Sequence, residues 1–328
     1  MRRRAERVLW GALALLCVGL LMAAGTGWWA VDHYTSKVNR VPHAFPTDVP
    51  PGERPSAAKG GQTFLLVGVD SRSDLPTTGT DAKAAPWKPG AQRSDTMMLM
   101  HLPSNHATAY VVSLPRDTWV KVPGHGRSKL NAAFSWGGPP LLIDTVQRLT
   151  RVRVDHLAVI DWSGFRKLTD AVGGVELSVA GGPAEHMNGA EALEYVRERK
   201  DLPRGDLDRT HRQQNYLRAV LSKVLSGDHL TSPLRTKRLL DQLTATISVD
   251  DRLSDTQLRD LLWDSRGMRA SRMVFMNAPV DRTATVGGQS VVLLDDHGSA
   301  ALWKALLQGT MADYVREHRV DRLKPVVQ

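Results

Sequence analysis

The chain alternates short aliphatic runs with amphipathic ones, and the two kinds differ in period. Thr63–Val69, Thr96–Leu102 and Thr108–Leu114 are short, aliphatic and bounded by turn residues, which predicts three strands. Further on, Lys129–Trp136 and Pro140–Thr150 predict helices, the prolines being acceptable in a first helical turn. His156–Ile160 predicts a strand, Ser163–Ala171 an amphipathic helix and Val175–Val179 another strand. Asn188 suits the N-cap of a helix over Ala190–Val196, and a second helix is expected to start near Asp208. Ser254 and Gln257 have capping-box spacing ahead of Leu258–Trp263. Met273–Met276 predicts a strand and Ser299–Leu307 a closing helix. Helices and strands interleave without an internal repeat. The expected fold class is α/β: a single domain over residues 62–310 with a mixed central sheet covered by helices on both faces. Residues 311–328 read as a charged tail.

Ahead of the domain the pattern changes. Arg2, Arg3, Arg4 and Arg7 precede an uncharged run over residues 8–31, and Asp32 ends it. A run of roughly 20 apolar residues is long enough to cross a bilayer, and Trp28 and Trp29 stand where an interfacial aromatic belt falls. The expectation is one N-terminal transmembrane helix, with residues 1–7 cytoplasmic and the folded domain extracytoplasmic: a single-pass protein of the cell membrane. A cleavable signal peptide is the competing reading, with Ala23, Ala24 and Gly25 as small residues, but the apolar run exceeds a signal core. Residues 32–61 are rich in Pro and polar residues and lack a helical period, which predicts an extended linker.

Charge narrows the partners. The 328 residues carry 43 Lys and Arg against 34 Asp and Glu, a formal net charge of +9. Beside a membrane this suits anionic lipid head groups and anionic polymers. No nucleic-acid module stands out, which argues against nucleic acid. Cys17, the one cysteine, lies in the apolar run, so the exported part has no disulfide or thiolate zinc site. There is no G-x-S-x-G elbow, H-E-x-x-H or P-loop, and Gly124-His125-Gly126 reads as a turn after Pro123. His156, at the start of an apolar strand, reads as a packed side chain.

Two clusters carry candidate chemistry. If the first three strands run up, down and up, Asp70, Asp95 and Arg116 fall at one rim of the sheet. Arg72, Arg93 and Asp117 crowd the same rim. Two carboxylates brought together repel, and a hard divalent cation with oxygen ligands relieves that. Asp70 has an alternative as an Asx turn with Ser71, and Asp117 as a partner of Arg116. The second cluster is Val196–Gln214, which holds Arg197, Arg199, Arg204, Arg209 and Arg212. The planar guanidinium fork binds phosphate oxygens in pairs. Arg209 and Gln213, four apart, share a helix face. A salt-bridged surface turn is the alternative for this stretch.

The blocks F-L-L-V-G-V-D-S-R (64–72), R-S-D-T-M-M-L (93–99), S-L-P-R-D (113–117), K-L-N-A-A-F (129–134), D-A-V-G-G-V (170–175) and R-E-R…G-D-L-D-R-T-H-R-Q-Q (197–214) resemble the LytR-CpsA-Psr family in order and spacing. The resemblance covers residues 62 to 308. It implies a membrane-anchored phosphotransferase that moves a glycopolymer from a polyprenyl-pyrophosphate carrier to a peptidoglycan hydroxyl. It also implies magnesium on the pyrophosphate, with manganese as a substitute. By resemblance, Asp70 and Asp95 are the metal-binding aspartates. Arg116, Arg197, Arg199 and Arg209 are the pyrophosphate-binding arginines, with Gln213 beside them. The connection between Asp70 and Asp95 is long, contains proline and carries Trp87, so substrate access there is expected to differ from relatives with a shorter one.

Phosphoryl transfer needs positioning and charge neutralisation more than covalent help. Asp70, Asp95 and Asp117 are candidate general bases, His211 a candidate proton-transfer group. The apolar carrier tail needs a groove, for which helices around Leu141–Leu149 and Tyr216–Leu225 are candidates. Two other functions share these residues: hydrolysis of the same donor, and non-catalytic binding of a wall polymer or lipid.

Overall fold

A computed structural model describes residues 32–324, apart from 48, 51–52, 54, 72–74, 84–86, 104–107, 179–181, 199–201, 226–232 and 266–267. The expected transmembrane helix at 8–31 lies outside the described residues; among those described, no helix is long and apolar enough to cross a membrane.

A seven-stranded mixed sheet forms the centre, in the order β1-β10-β7-β2-β3-β4-β11. The strands are β1 (Asn39–Val41), β2 (Gly61–Ser71), β3 (Gln92–Pro103), β4 (Ala109–Ser113), β7 (His156–Asp161), β10 (Ile247–Asp250) and β11 (Met273–Asn277). Among the described residues, three hairpins lie outside this sheet: β5 (Trp119–Val122) with β6 (Gly126–Lys129), β8 (Val175–Ser178) with β9 (Ala184–Met187), and β12 (Val280–Val286) with β13 (Gln289–Leu294). The three predicted strands are β2, β3 and β4, antiparallel in sequence as expected, while β7 runs parallel to β2.

Alternation along β2 divides the core. Leu65, Val67 and Val69 face one layer, against α1 (Leu130–Thr150) and α7 (Asp296–Gln308). Leu66 faces the other, with Met98, Val111 and Phe275. That second layer holds α2 (Trp162–Ala171), α3 (Gly189–Arg197), α4 (Asp206–Leu225), α5 (Pro233–Thr246) and α6 (Asp255–Ser265). Side chains at period two point to opposite faces of a sheet, so a sheet apolar on both must be covered twice. The mixed sheet between two helical layers is the fold expected.

Local signals behave as their chemistry predicts. Asn188 accepts from the amides of Ala190 and Glu191, and Glu191 returns the bond to the Asn188 amide. Ser254 and Gln257 exchange the same pair of bonds. The two expected helices near Pro139–Pro140 meet at Gly138, whose φ of 62° breaks the helical path. A Cβ there would stand 2.6 Å from the Trp87 ring, so glycine serves both the backbone and the close approach.

Two boundaries differ from expectation. Residues 32–61, expected as an extended linker, are partly built into the domain. Residues 32–37 are helical, β1 pairs with β10, and Ala44, Phe45 and Ala58 are buried. β10 would otherwise leave an unpaired edge, which β1 satisfies. Residues 311–328, expected as a charged tail, open with α8 (Met311–Glu317), which buries Met311 and Tyr314. The segment after it lies along β11: the Asn277 amide donates to Asp321 O at 3.0 Å, and the Leu323 amide to Phe275 O at 2.9 Å.

Candidate functional site

The site stands on the rim where β2, β4, β7 and β11 end and β3 begins. Asp70 is the penultimate residue of β2, opposite Arg93. In β3, Thr96 pairs with Gly68 and Ser94 with Val69, so Asp95 is the extra residue of a bulge. A bulge re-aims a side chain out of the ladder. Asp95 thereby meets Arg116, which lies in the turn after β4. The guanidinium donates from Nη1 to Asp95 Oδ1 at 2.5 Å. Arg116 Nε lies 3.8 Å from Asp117 and 3.9 Å from Asp206, and Lys129 Nζ is 3.1 Å from Asp117. Burial lowers the Arg116 pKa, but Asp95, Asp117 and Asp206 together outweigh it and hold the group above its ordinary value.

The second cluster reaches this rim through the first turns of α4. Arg209 is buried and pairs with Asp206 one turn earlier. Asp206 therefore ties Arg209 to Arg116, and two arginines from distant parts of the chain share one carboxylate. Arg197, the last residue of α3, is exposed and lies with its guanidinium 5.5 Å from the centre of the Trp162 ring. That indole donates from Nε1 to Asp70 Oδ1 at 2.9 Å. Arg72 and Arg199 lie outside the described residues.

Among the described residues, no group of three or more His, Cys, Asp or Glu side chains is placed to hold a metal ion. Asp70 and Asp95 stand close in register at the open end of the β2–β3 ladder. Asp70 and Asp95 each commit Oδ1 to a neutral or cationic donor of the protein. The donor set is all oxygen, which suits magnesium, an ion that takes one or two carboxylates and completes its shell with water and phosphate oxygens.

Below the rim an apolar cavity of about 190 Å³ opens on the sheet face beneath α2 and α4. Gly68, Thr96 and Trp162 border it at the charged end, and Phe165, Tyr216 and Val220 line its depth. Gln213 also lines it, one helical turn beyond Arg209 on α4. Of the two helices considered for a groove, the one containing Tyr216–Leu225 contributes Tyr216, Leu217 and Val220. Leu142, Ile143 and Val146, from the other, are fully buried in the opposite core layer.

The long connection between Asp70 and Asp95 is fastened at residues 77–79 and again at Trp87. The Thr77 amide donates to Asp161 Oδ2 at 2.5 Å, the Thr78 hydroxyl to Thr246 O at 2.7 Å, and the Gly79 amide to Ser248 Oγ at 2.9 Å. Trp87 then packs against the layer containing α1. His156 is the packed histidine expected, its ring 5.1 Å from that of Phe64 and its Nδ1 3.3 Å from Asp250. His211 is buried away from Arg116, with Nδ1 3.1 Å from Arg204 and Nε2 3.4 Å from Asp321.

Trp162 and Asp206 were not singled out from the sequence. Trp162 could have been found by extending the rim argument, because it follows β7, which runs parallel to β2 and ends beside it. Asp206 gave no signal beyond its place among the arginines.

The LytR_cpsA_psr family model matches residues 32–308. Probable cell wall biosynthesis protein LcpB of Corynebacterium glutamicum is 34% identical over 89% of this chain and 69% of its own length. Polyisoprenyl-teichoic acid–peptidoglycan teichoic acid transferase TagU of Oceanobacillus iheyensis is 32% identical over 64% of this chain and 65% of its own. The crystal structure of B. subtilis TagV shares the fold, with a TM-score of 0.63 at 22% identity, over 78% of this chain and 99% of that one. Sequence match and shared architecture agree, and the chain belongs to the LytR_cpsA_psr family.

Proposed function

We propose that the protein transfers a glycopolymer from a polyprenyl-pyrophosphate carrier to a hydroxyl of peptidoglycan and releases polyprenyl phosphate. The observation that carries this reading is the apolar cavity opening beside the arginine-aspartate rim. A lipid pyrophosphate needs both surfaces next to each other, one for the tail and one for the charge. Trp162 and Gln213 stand at the junction. The teichoic acid transferase name of the TagU relative and the cell wall biosynthesis name of LcpB point the same way.

In this reading Arg116, Arg197, Arg199 and Arg209 bind the pyrophosphate oxygens, and Gln213 lies beside them. Asp70 and Asp95 would hold magnesium, or manganese in its place, which when bound neutralises pyrophosphate charge. The acceptor oxygen attacks the phosphorus bearing the glycan, and the bond from that phosphorus to the bridging oxygen breaks. The hydroxyl proton passes to a carboxylate of the rim, among Asp70, Asp95 and Asp117. Positioning and charge neutralisation supply most of the rate in such reactions. An N-terminal anchor over residues 8–31 would keep the domain outside the cell membrane and close to the lipid donor.

The test is product analysis with the full chain, a labelled polyprenyl-pyrophosphate glycan, and wall fragments present or absent. Label joined to the wall through phosphate, with release of polyprenyl phosphate only when acceptor is added, supports transfer. Equal glycan release in both arms would make the protein a hydrolase, and binding without turnover a carrier-binding module.

A further inference from the structure

A second and larger cleft, about 990 Å³, lies on the far side of the first turns of α4 from Arg116. Its walls are the start of α4 with Arg204 before it, the first residues of β12 (Val280 to Thr283), and the strap formed by residues 319–324. The strap borders β11, the outermost strand of the sheet, and a bridge joins Met276 to Arg322. The family match ends at residue 308, so membership of the family does not account for this segment.

Charge in the cleft is unbalanced. Five Arg and Lys side chains line it against three carboxylates, a formal excess of two positive charges. The carboxylates are engaged elsewhere: Asp208 and Asp321 share Arg204, and Asp281 pairs with Arg282. Arg319, Arg322 and Lys324 remain, all exposed and with no carboxylate partner among the described residues. Arg322 and Lys324 are two apart on an extended segment, so they project to one side at a spacing of roughly 7 Å. A row of cations without carboxylate partners, on a strap held along β11, suits a ligand with repeated anionic groups, not a single small anion. The volume also lies at the top of the range for small-molecule sites.

We propose that this cleft is a second binding site, taking an anionic glycan chain whose carboxylate or phosphate groups pair with Arg319, Arg322 and Lys324. Asp206 on one side of the α4 turn and Asp208 on the other place the two sites back to back. A chain held on the strap would be kept beside the transfer rim. The identity of the chain as a wall polymer rests on the proposed function; its anionic character rests on the cleft alone. A lipid surface fits the placement less well. The chain enters the domain at β1, six strand spacings from β11, or about 29 Å across the sheet.

The experiment is a binding titration of the full chain in detergent. Soluble peptidoglycan fragments and poly(glycerol phosphate) form separate arms, which distinguish an acceptor source from a donor-polymer source. Saturable, salt-sensitive binding in either arm, weakened at least tenfold in Arg319→Gln/Arg322→Gln/Lys324→Gln, is the expected result. All three side chains are exposed, and pyrophosphate-donor binding by the triple variant should equal that of the parent. Unchanged glycan binding by the variant would overturn the proposal. So would binding to anionic vesicles in place of both polymers. If the parent binds glycan through these residues but turns over no donor, the second site stands and the transfer reading falls.

Discussion

Arg116 donates from Nη1 to Asp95 Oδ1 at 2.5 Å, with both side chains largely buried, and its Nε faces Asp117 and Asp206 at nearly equal distances. One guanidinium thus spans three carboxylates that the sequence carries over more than a hundred positions. Its planar fork makes this possible, because an ammonium is a single point charge.

Arg116→Lys should therefore keep the charge and lose the span. A charge-assisted hydrogen bond of about 2–3 kcal/mol corresponds to a rate loss on the order of 30- to 150-fold. Steady-state transfer from a polyprenyl-pyrophosphate donor measures it, and a rate within threefold of the parent would contradict the assignment.

Two variants separate the proposed metal-holding role of Asp70 from its hydrogen bond with Trp162. Asp70→Asn keeps an oxygen to accept from the Trp162 indole but removes the charge, so thermal unfolding should hardly move while metal-dependent turnover is lost. Trp162→Phe removes the donor and keeps Asp70 charged, so it should lower turnover by about tenfold, the worth of one hydrogen bond. If Asp70→Asn keeps full activity in chelator, Asp70 holds no metal.

The arginines of the second cluster should divide by burial. Arg197 is exposed over Trp162, so Arg197→Lys is expected to weaken donor use without changing unfolding. Arg209 is buried against Asp206, so Arg209→Lys should also cost about 1–3 kcal/mol of stability. Arg235 and Arg238, both exposed on α5, serve as controls in which the same change does nothing. Calorimetry beside the transfer assay distinguishes the three behaviours.

His211 makes stability depend on acid. Burial is the largest influence and lowers its pKa in the folded state, despite the pull of Asp321 in the other direction. The unfolded chain then binds a proton that the folded one refuses. Stability from this group is complete above about pH 6.5 and falls as pH drops from there toward the depressed folded value. His211→Gln should flatten that part of the stability curve in denaturant titrations from pH 7.5 to 5. A curve of unchanged slope would assign the acid sensitivity to other groups.

Strand runs, helix caps and the break at Pro139–Pro140 depend on neighbours within a few residues, and these were legible in the sequence. So was the placing of Asp70, Asp95 and Arg116 at one end of the sheet, because three successive strands fix which ends share a rim. Segments whose order comes from distant partners were not legible. Asn39–Val41 is too short to show a period, and its pairing partner β10 lies some two hundred residues away. Residues 321–323 likewise gain structure only by lying along β11.

By itself the sequence determined the α/β class, the antiparallel course of β2, β3 and β4, and the residue types of the charged rim. Those follow from periodicity and from chemistry carried by single side chains. Tertiary structure alone decided the bulge that turns Asp95 toward Arg116, the indole that orients Asp70 and the sharing of Asp206 between two arginines. It also decided which of two apolar helices lines the cavity. The Tyr216 helix and the helix of Leu142 both carry apolar faces, but the first borders a void in one layer and the second closes a filled core in the other. A burial pattern records that a side chain leaves water; only packing against the rest of the chain determines whether it meets another side chain or an open pocket.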